Sequence, residues 1–239
     1  MSMPMTERTA QILEAAIHEY IATGVPVSSG LLYARHDFGI KPAMIRIELD
    51  ALEDEGYLEK PHYSAGRIPT NAGYEFFADR QLAAAVGGPK HAARRARAAA
   101  DQELRRLVEE RALPDLLREL SSELDLLSVA ANLAATAVYK CGLDHLIDHL
   151  DWEDQAGIRA VIRDFENVDA RLPDAARALR EGADDGPRVF IGRKSPLTKS
   201  ENLSVVCGNY EVDGDTISIF AIGPKRMDYK KVIRVFRNL

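Results

Sequence analysis

The sequence predicts an α+β protein with a helical N-terminal region and a small C-terminal sheet. Two patterns lead to this prediction. Apolar residues recur at helical spacing through the first 56 residues, and β-branched runs occur from Val189 onward. The chain has 239 residues, of which 46% are hydrophobic, so it is long enough for two or three domains with buried cores.

Three short helices are predicted in the first region, with Thr6 and Ser28 as N-caps of the first two and Gly39 closing the second. The third begins at Pro42, whose missing N–H costs nothing in a first turn. Three helices in this order, the third amphipathic, are typical of a helix-turn-helix. The inward stripe of the third helix has i, i+4 and i+7 spacing and comprises Ile45, Leu49 and Leu52.

A basic strand and a glycine turn follow the third helix. Tyr57 to Lys60 is the predicted strand, Ser64-Ala65-Gly66 is its turn, and Pro69 ends the return strand. Thr70 then caps a fourth helix. This is the layout of a winged helix-turn-helix, in which a helix enters the DNA major groove and the wing contacts the backbone. We therefore predict a DNA-binding domain over residues 1–86.

The outer face of the third helix is the predicted reading surface. With the apolar stripe facing inward, Ala43, Ile47 and Asp50 point outward, and Arg46 lies beside them. A guanidinium suits guanine or phosphate, methyl groups suit thymine, and the wing arginine suits the DNA backbone or the minor groove. The predicted DNA-contacting residues are Ser28, Lys41, Ala43, Arg46, Ile47, Lys60, His62, Tyr63, Ser64 and Arg67.

The charge balance weighs against strong non-specific DNA binding. The formal net charge is −6, and the first 80 residues carry seven basic against twelve acidic side chains. The positions of the basic residues favour DNA binding nonetheless, because four of them fall on the predicted helix and wing. Without the wing, Lys41 and Arg46 would be interpreted as ordinary solvated charges, and Tyr63 is equally compatible with a ring packed on the wing.

A helical linker and dimerisation segment is predicted over residues 87–137. Gly87-Gly88-Pro89 breaks the chain, and Lys90 to Arg111 has a strongly helical composition. Leucines at three-four spacing follow and form a narrow apolar seam. Such a seam is either core or a surface for a partner helix, and the sequence leaves both open. The seam comprises Leu113, Leu117, Leu120, Leu124 and Leu127.

A second α+β domain, a small sheet packed by helices, is predicted over residues 138–239. Asp213-Gly214 is a hairpin signal between the last two strands, and Asp228 caps a closing helix. The other predicted helices span 143–150 and 158–165, and the strands span 189–191, 203–207 and 216–222.

The sequence indicates no enzyme. It has no nucleotide-binding loop, nucleophile elbow or pair of catalytic carboxylates, so we predict no catalytic residue and no cofactor. His145 and His149 lie one turn apart, as zinc ligands can, but no third ligand follows and no metal is predicted. Cys141 and Cys207 do not form a disulfide framework. Without a signal-peptide pattern or a long uncharged apolar run, we expect a cytoplasmic protein with no membrane partner.

Residues 61–70 read Pro-His-Tyr-Ser-Ala-Gly-Arg-Ile-Pro-Thr, which resembles the most recognisable string of the heat-inducible transcription repressors (HrcA). Similarity to that family extends over Thr6 to Leu82 and over Val138 to Tyr229. The second block includes Gly-Pro-Lys-Arg-Met-Asp-Tyr at residues 223–229, which is about as specific as the wing string.

The resemblance implies a homodimer that binds an inverted-repeat operator upstream of heat-shock chaperone operons. Such a dimer represses transcription and releases the DNA on heat stress. The resemblance also implies a GAF-like C-terminal domain and a chaperonin that maintains the active fold. We therefore expect double-stranded DNA, a second copy of the chain and chaperonin as partners.

Two departures from the family change these expectations. Members usually carry small polar residues where this chain has Pro42, Met44 and Ile47, with Asn common at the last position. Loss of a bidentate adenine reader removes roughly 1–3 kcal/mol of discrimination, so we expect an altered operator. Members also have a longer middle, so we expect a reduced GAF-like domain and dimerisation through the leucine seam.

Two other functions remain open at the level of sequence. One is a winged-helix regulator that responds to a small molecule, which a large apolar pocket in the C-terminal domain would favour. The other is a protein-interaction module that has lost operator recognition, which a uniformly negative potential across the third helix would favour.

Overall fold

The structure is a computed structural model that describes residues 5–62, 66–86, 113–132, 137–149, 154–180, 186–212 and 215–239. The chain forms two compact units, Met1–Asp79 and Arg80–Leu239. The predicted helical stretch from Lys90 to Arg111 and the hairpin residues Asp213-Gly214 lie outside the described residues.

The N-terminal unit consists of helices and a short two-stranded antiparallel sheet, and its last helix continues past the division. In the sheet, Leu58 pairs with Pro69 and Glu59 pairs with Ile68. The elements are α1 (Glu7–Thr23), α2 (Ser29–Arg35), α3 (Pro42–Asp54), β1 (Leu58–Glu59), β2 (Ile68–Pro69) and α4 (Asn71–Val86).

The predicted helix starts in this unit are confirmed, and one predicted helix end is wrong. Thr6 Oγ1 and Ser28 Oγ each accept a hydrogen bond of 3.2 Å from the backbone N–H three residues further on. Helix α2 ends at Arg35 and does not reach Gly39. The reason is that His36 is extended, with φ −132° and ψ 140°, so the backbone has left the helical conformation before the glycine.

The core of the N-terminal unit forms where α1 contacts α3. The predicted stripe of α3 is confirmed, because its three aliphatic side chains are fully buried. Burying an aliphatic side chain of this size contributes roughly 1.5–3 kcal/mol. The fully buried side chains of the two helices are Ile12, Leu13, Ile17, Ile45, Leu49 and Leu52.

A buried carboxylate joins α1 to the end of α2. Glu19 is 5% exposed and accepts hydrogen bonds from Arg35 Nη1 and, at 2.9 Å, from His36 Nε2. Burial alone raises the pKa of the Glu19 carboxyl, but the hydrogen bonds from His36 and Arg35 outweigh it and hold the pKa below its ordinary value of 4.5. The charged form of Glu19 therefore stabilises the fold.

We expect Glu19→Gln to lower the free energy of unfolding of the N-terminal unit by about 1–3 kcal/mol at neutral pH. Because the folded pKa is lowered, the contribution of Glu19 is complete above 4.5 and is lost as the pH falls through the folded value. The difference between the wild type and the variant should therefore shrink in acid.

Urea unfolding of the full chain measures this difference. It is carried out at about pH 7 and about pH 3.5 and is read from the pulse-labelled amides of α1. The matched control is Glu59→Gln, because Glu59 is an exposed residue of β1. A difference that is the same at both pH values would contradict the role given to Glu19.

The C-terminal unit is built on a five-stranded antiparallel sheet with the order β4-β3-β7-β6-β5. The predicted strands near 189, 203 and 216 and the predicted cap at Asp228 are confirmed. The elements are α5 (Leu113–Leu124), β3 (Leu127–Asn132), β4 (Ala137–Cys141), α6 (Leu143–Asp148), α7 (Gln155–Arg180), β5 (Arg188–Ile191), a 3₁₀ turn (Gly192–Lys194), β6 (Leu203–Val212), β7 (Asp215–Pro224) and α8 (Tyr229–Asn238).

Helices cover both faces of this sheet. On one face, α7 contacts β3 and β6. On the other face, Tyr229 at the start of α8 is fully buried, and its hydroxyl is 2.8 Å from Ser204 Oγ of β6. The core on the α7 face includes Leu127, Val129, Val161, Val168, Leu172, Val205, Cys207 and Phe220.

The predicted leucine seam is core, and the predicted helical segment ends early. Asp125 adopts a positive φ of 57°, so α5 stops at Leu124 and the chain turns into β3. Leu127 lies on that strand and pairs with Ile222 of β7. The sheet therefore begins at Leu127 and not after residue 137. The seam residues that the single chain buries are Leu113, Leu117, Leu120, Leu124 and Leu127.

The burial of these leucines corrects their predicted role in dimerisation. Helix α5 contacts β3 and β4 of its own chain, so the apolar stripe is already covered. We expect Leu117→Ala to lower the free energy of unfolding of the C-terminal unit by about 2–5 kcal/mol, because it leaves a cavity in a packed core. Urea unfolding measures the loss, and it should not depend on protein concentration. A loss that disappears at high concentration would restore the dimer seam.

Candidate nucleic-acid interface

The outer face of α3 carries most of the predicted DNA-contacting residues that the structure leaves exposed. Lys41, Ala43, Arg46 and Ile47 are all exposed, while the opposite stripe of the helix is buried. Lys41 is the N-cap position and Pro42 follows it at the first helical position. The basic and apolar side chains are thus displayed together over the N-terminal half of one helix.

The remaining predicted contacts are more scattered. Ser28 is exposed, and its hydroxyl is engaged as the N-cap of α2. His62 is exposed after β1. Tyr63 and Ser64, at the predicted wing tip, lie outside the described residues.

Arg67, which the sequence analysis assigned to DNA, is nearly buried and engaged by the protein itself. Only 7% of this residue is exposed. Its guanidinium binds two carboxylates of α3: Nε donates to Glu53 Oε2 at 3.1 Å, and Nη2 donates to Asp50 Oδ1. Its backbone pairs with Val27 through two hydrogen bonds of 2.8 Å. Arg67 therefore fastens the start of β2 to α3 and to the segment before α2.

Lys60 shares these two carboxylates. Its Nζ is 3.0 Å from Glu53 Oε2 and 3.8 Å from Asp50 Oδ1, and about a third of its side chain is exposed. We call Asp50, Glu53, Lys60 and Arg67 the wing clamp. Two positive and two negative charges meet in it, so Lys60 and Arg67 neutralise Asp50 and Glu53.

Gly66 is required by this arrangement. A Cβ at this position would lie 2.5 Å from the carbonyl oxygen of Val27, which real Cβ atoms do not tolerate against backbone. The sequence pattern predicted a flexible turn residue. The close approach of Gly66 to Val27 is instead what allows Arg67 to pair with the same residue.

The wing clamp is the part of the site that sequence reasoning missed. Asp50 and Glu53 are three residues apart on α3, and Lys60 and Arg67 lie on the two sides of the wing. An i, i+3 acidic pair followed by two basic strand residues was an available signal for ion pairing. The sequence analysis instead assigned both basic residues to DNA, with Arg67 at the DNA backbone or the minor groove.

Two other groups singled out in the sequence have structural partners. His145 Nδ1 and His149 Nε2 each lie 2.8 Å from a different oxygen of Asp125, and no cluster of three metal-ligating side chains occurs in the described ranges. Cys207 is fully buried in β6, and this burial raises the pKa of its thiol to about 12. The thiol therefore serves as a small packed group.

Comparison with a family model shows to which protein family this chain belongs. Residues 85–233, more than half of the chain, match the model described as HrcA protein C terminal domain. The chain belongs to the HrcA family. The family resemblance that the sequence motifs indicated is thereby confirmed.

Curated relatives carry the name heat-inducible transcription repressor HrcA. The HrcA of Natranaerobius thermophilus is 26% identical over 99% of this chain and 95% of its own length. That alignment has 333 positions against 239 residues here, so at least 94 positions lie opposite gaps in this chain. The HrcA proteins of Nocardioides sp. and Bifidobacterium animalis subsp. lactis are 50% and 54% identical, over 74 and 70 residues. Those matches cover 31% and 29% of this chain, and 22% and 19% of the two proteins.

A solved structure shares the fold of this HrcA chain. It is described as the crystal structure of a hypothetical protein at 2.2 Å resolution, and it superposes with a TM-score of 0.75 at 17% identity. The match covers 97% of this chain and 95% of that chain. Among the described residues, no helical stretch combines the length and the hydrophobicity that a bilayer crossing requires.

We expect Arg67→Met to destabilise the N-terminal unit of this HrcA chain by about 1–3 kcal/mol, because two carboxylates lose their shared donor. The triple variant with Asp50→Asn and Glu53→Gln should recover part of the loss, since no carboxylate is then left short of a donor and the remaining charge of Lys60 is partly exposed to solvent. Arg46→Met is the matched control, because Arg46 is exposed and makes no ion pair among the described residues. Urea unfolding read in the N-terminal unit measures all three, and equal effects of the two arginine substitutions would contradict the clamp.

Proposed function

We propose that this chain is a transcription repressor of the HrcA type whose N-terminal unit is a winged helix-turn-helix that binds DNA. The observation that carries the proposal is the outer face of α3, where Lys41 and Arg46 are exposed beside Ala43 and Ile47. In this proposal α3 enters the major groove, Lys41 and Arg46 bind phosphate or guanine, and β1 and β2 form the base of the wing.

The name of the relatives supports a repressor that responds to heat. The chain would bind an inverted-repeat operator upstream of heat-shock chaperone operons as a homodimer, with chaperonin as a further partner. The α+β C-terminal unit, with helices on both faces of its antiparallel sheet, is compatible with a reduced GAF-like domain. An inverted repeat requires two-fold symmetry in the protein, and the dimer surface lies elsewhere than the buried leucines of α5.

Release on heating follows from a shift in populations. Operator binding needs α3 and the wing in one arrangement, and these elements are joined by the wing clamp. If warming lowers the fraction of chains in that arrangement, the apparent affinity falls by the same fraction. No ligand is needed for this response.

The experiment that tests the proposal is binding of the purified chain to a labelled inverted-repeat duplex and to a scrambled duplex of equal length. The inverted repeat is taken from upstream of the host's chaperone operons, and binding is measured at two salt concentrations and two temperatures. We expect tight, selective binding that weakens on warming. Equal, weak and salt-sensitive binding to both duplexes would contradict operator recognition.

The salt dependence of this binding separates contact residues from clamp residues. We expect Arg46→Met to reduce the slope of log affinity against log salt by about 2 for the dimer, because each subunit loses one phosphate contact. Arg67→Met should leave the slope unchanged, since its guanidinium is held by Asp50 and Glu53. A reduced slope for Arg67→Met would place that side chain on DNA and contradict the assignment.

A further inference from the structure

The outer face of α3 has an apolar centre that a purely electrostatic DNA surface does not need. Ile47 is 58% exposed and Met44 is 45% exposed, and the exposed Ala43 lies beside them. Residues three and four apart are neighbours on a helix surface, so these three side chains form one continuous patch. We call Ala43, Met44 and Ile47 the apolar patch.

From this patch we infer that α3 recognises thymine, with Met44 and Ile47 contacting the C5-methyl groups of two successive thymines in the major groove. The inference rests on the proposed DNA binding and names the base that the same surface reads. Thymine is the base that displays a methyl group on the floor of the major groove. Neither side chain has an N–H or O–H donor, so a purine edge facing them would keep unpaired acceptors.

The surroundings of the apolar patch fit a duplex better than an apolar protein partner. Lys41 and Arg46 flank the patch, and among the described residues neither has an ion-pair partner on the protein. Asp50, three residues after Ile47, is paired with Lys60 and Arg67. The patch is therefore bordered by uncompensated positive charge and by a neutralised carboxylate, which is complementary to a groove lined by phosphates.

The spacing within the patch matches the spacing of bases. Met44 and Ile47 are separated by three residues, which is about 4.5 Å along a helix axis. Base pairs follow one another at about 3.4 Å. Two neighbouring methyl groups are therefore within reach of the two side chains when the N-terminal half of α3 lies in the groove.

The test removes the methyl group from the DNA and the side chain from the protein. Duplexes that bind the full chain are selected from a random-sequence pool, and the best one is resynthesised with deoxyuridine replacing thymidine at one position at a time. Deoxyuridine keeps the hydrogen-bonding edge and lacks only the methyl group. We expect two successive positions in each half-site at which the replacement weakens binding by about three- to tenfold.

Two protein variants show which side chain contacts which thymine methyl group. Ile47→Ala and Met44→Ala should each weaken binding to the thymine duplex by a similar factor. Each should then be insensitive to deoxyuridine at its own position, which is the signature of a direct contact in a double-mutant cycle. Ile162→Ala is the matched control, because Ile162 is 50% exposed on α7 of the other unit and should leave every affinity unchanged.

The outcomes separate this inference from the proposed function. Selective binding that deoxyuridine weakens, with coupling to Ile47 or Met44, supports both. Selective binding that no deoxyuridine replacement alters would overturn thymine recognition and leave the repressor proposal intact. A chain that selects no sequence from the pool would overturn the DNA-binding proposal and thymine recognition with it. Both variants change surface side chains, and their thermal unfolding should match that of the wild type.

Discussion

The ion pairing of Arg67 with Asp50 and Glu53 is the constraint on which the arrangement of the N-terminal unit depends. One guanidinium holds the wing to α3, while the backbone of the same residue holds the wing to Val27. Elements far apart in sequence are thereby fixed by a single residue that is almost fully buried. Because loss of Arg67 would leave Asp50 and Glu53 with Lys60 as their remaining partner, the arrangement is sensitive to a single substitution.

The clamp also changes how the acidity of this unit bears on DNA binding. The first 80 residues contain more acidic than basic side chains, which argues against attraction to phosphate. Asp50 and Glu53, however, form ion pairs with Lys60 and Arg67, and Glu19 forms an ion pair with Arg35. The charges that α3 leaves unpaired on its outer face near its start are Lys41 and Arg46. The charges displayed at the start of the outer face of α3 are therefore positive, although the first 80 residues together carry a net negative charge.

In the two sequence strings by which the family is recognised, several residues have structural roles. In the wing string, Gly66 permits the close approach to Val27 and Arg67 forms the clamp. In the C-terminal string, Asp228 caps α8 by accepting from Lys231 N at 2.9 Å, and Tyr229 donates its hydroxyl to Lys225 O at 2.8 Å. Residues that fix backbone geometry tolerate little change, whereas Met44 and Ile47 lie exposed on the reading surface. If α3 reads an operator as proposed, these exposed side chains can change without disturbing the residues that fix the backbone.

The sequence predicted those features that depend on neighbours along the chain. The caps at Thr6, Ser28 and Asp228 and the buried stripe of α3 follow from local spacing, and the structure confirms them. Features that depend on distant partners were not predictable in the same way. Leu127 continues the leucine spacing of α5, and only its pairing with Ile222 of β7 makes it a strand residue. The partner of Arg67 likewise lies more than a dozen residues away.

A heat response is consistent with how the reading surface is supported. Helix α2 has seven residues and a single buried side chain, Leu32, so its stability comes from contacts with α1 and α3 and not from its own length. The same holds for the wing, whose strands are two residues long and are held by the clamp. In the proposed function, a dimer on an inverted repeat would require both copies to be intact, so occupancy would fall with roughly the square of the intact fraction. On that proposal, a modest loss of stability on warming would become a larger loss of operator binding.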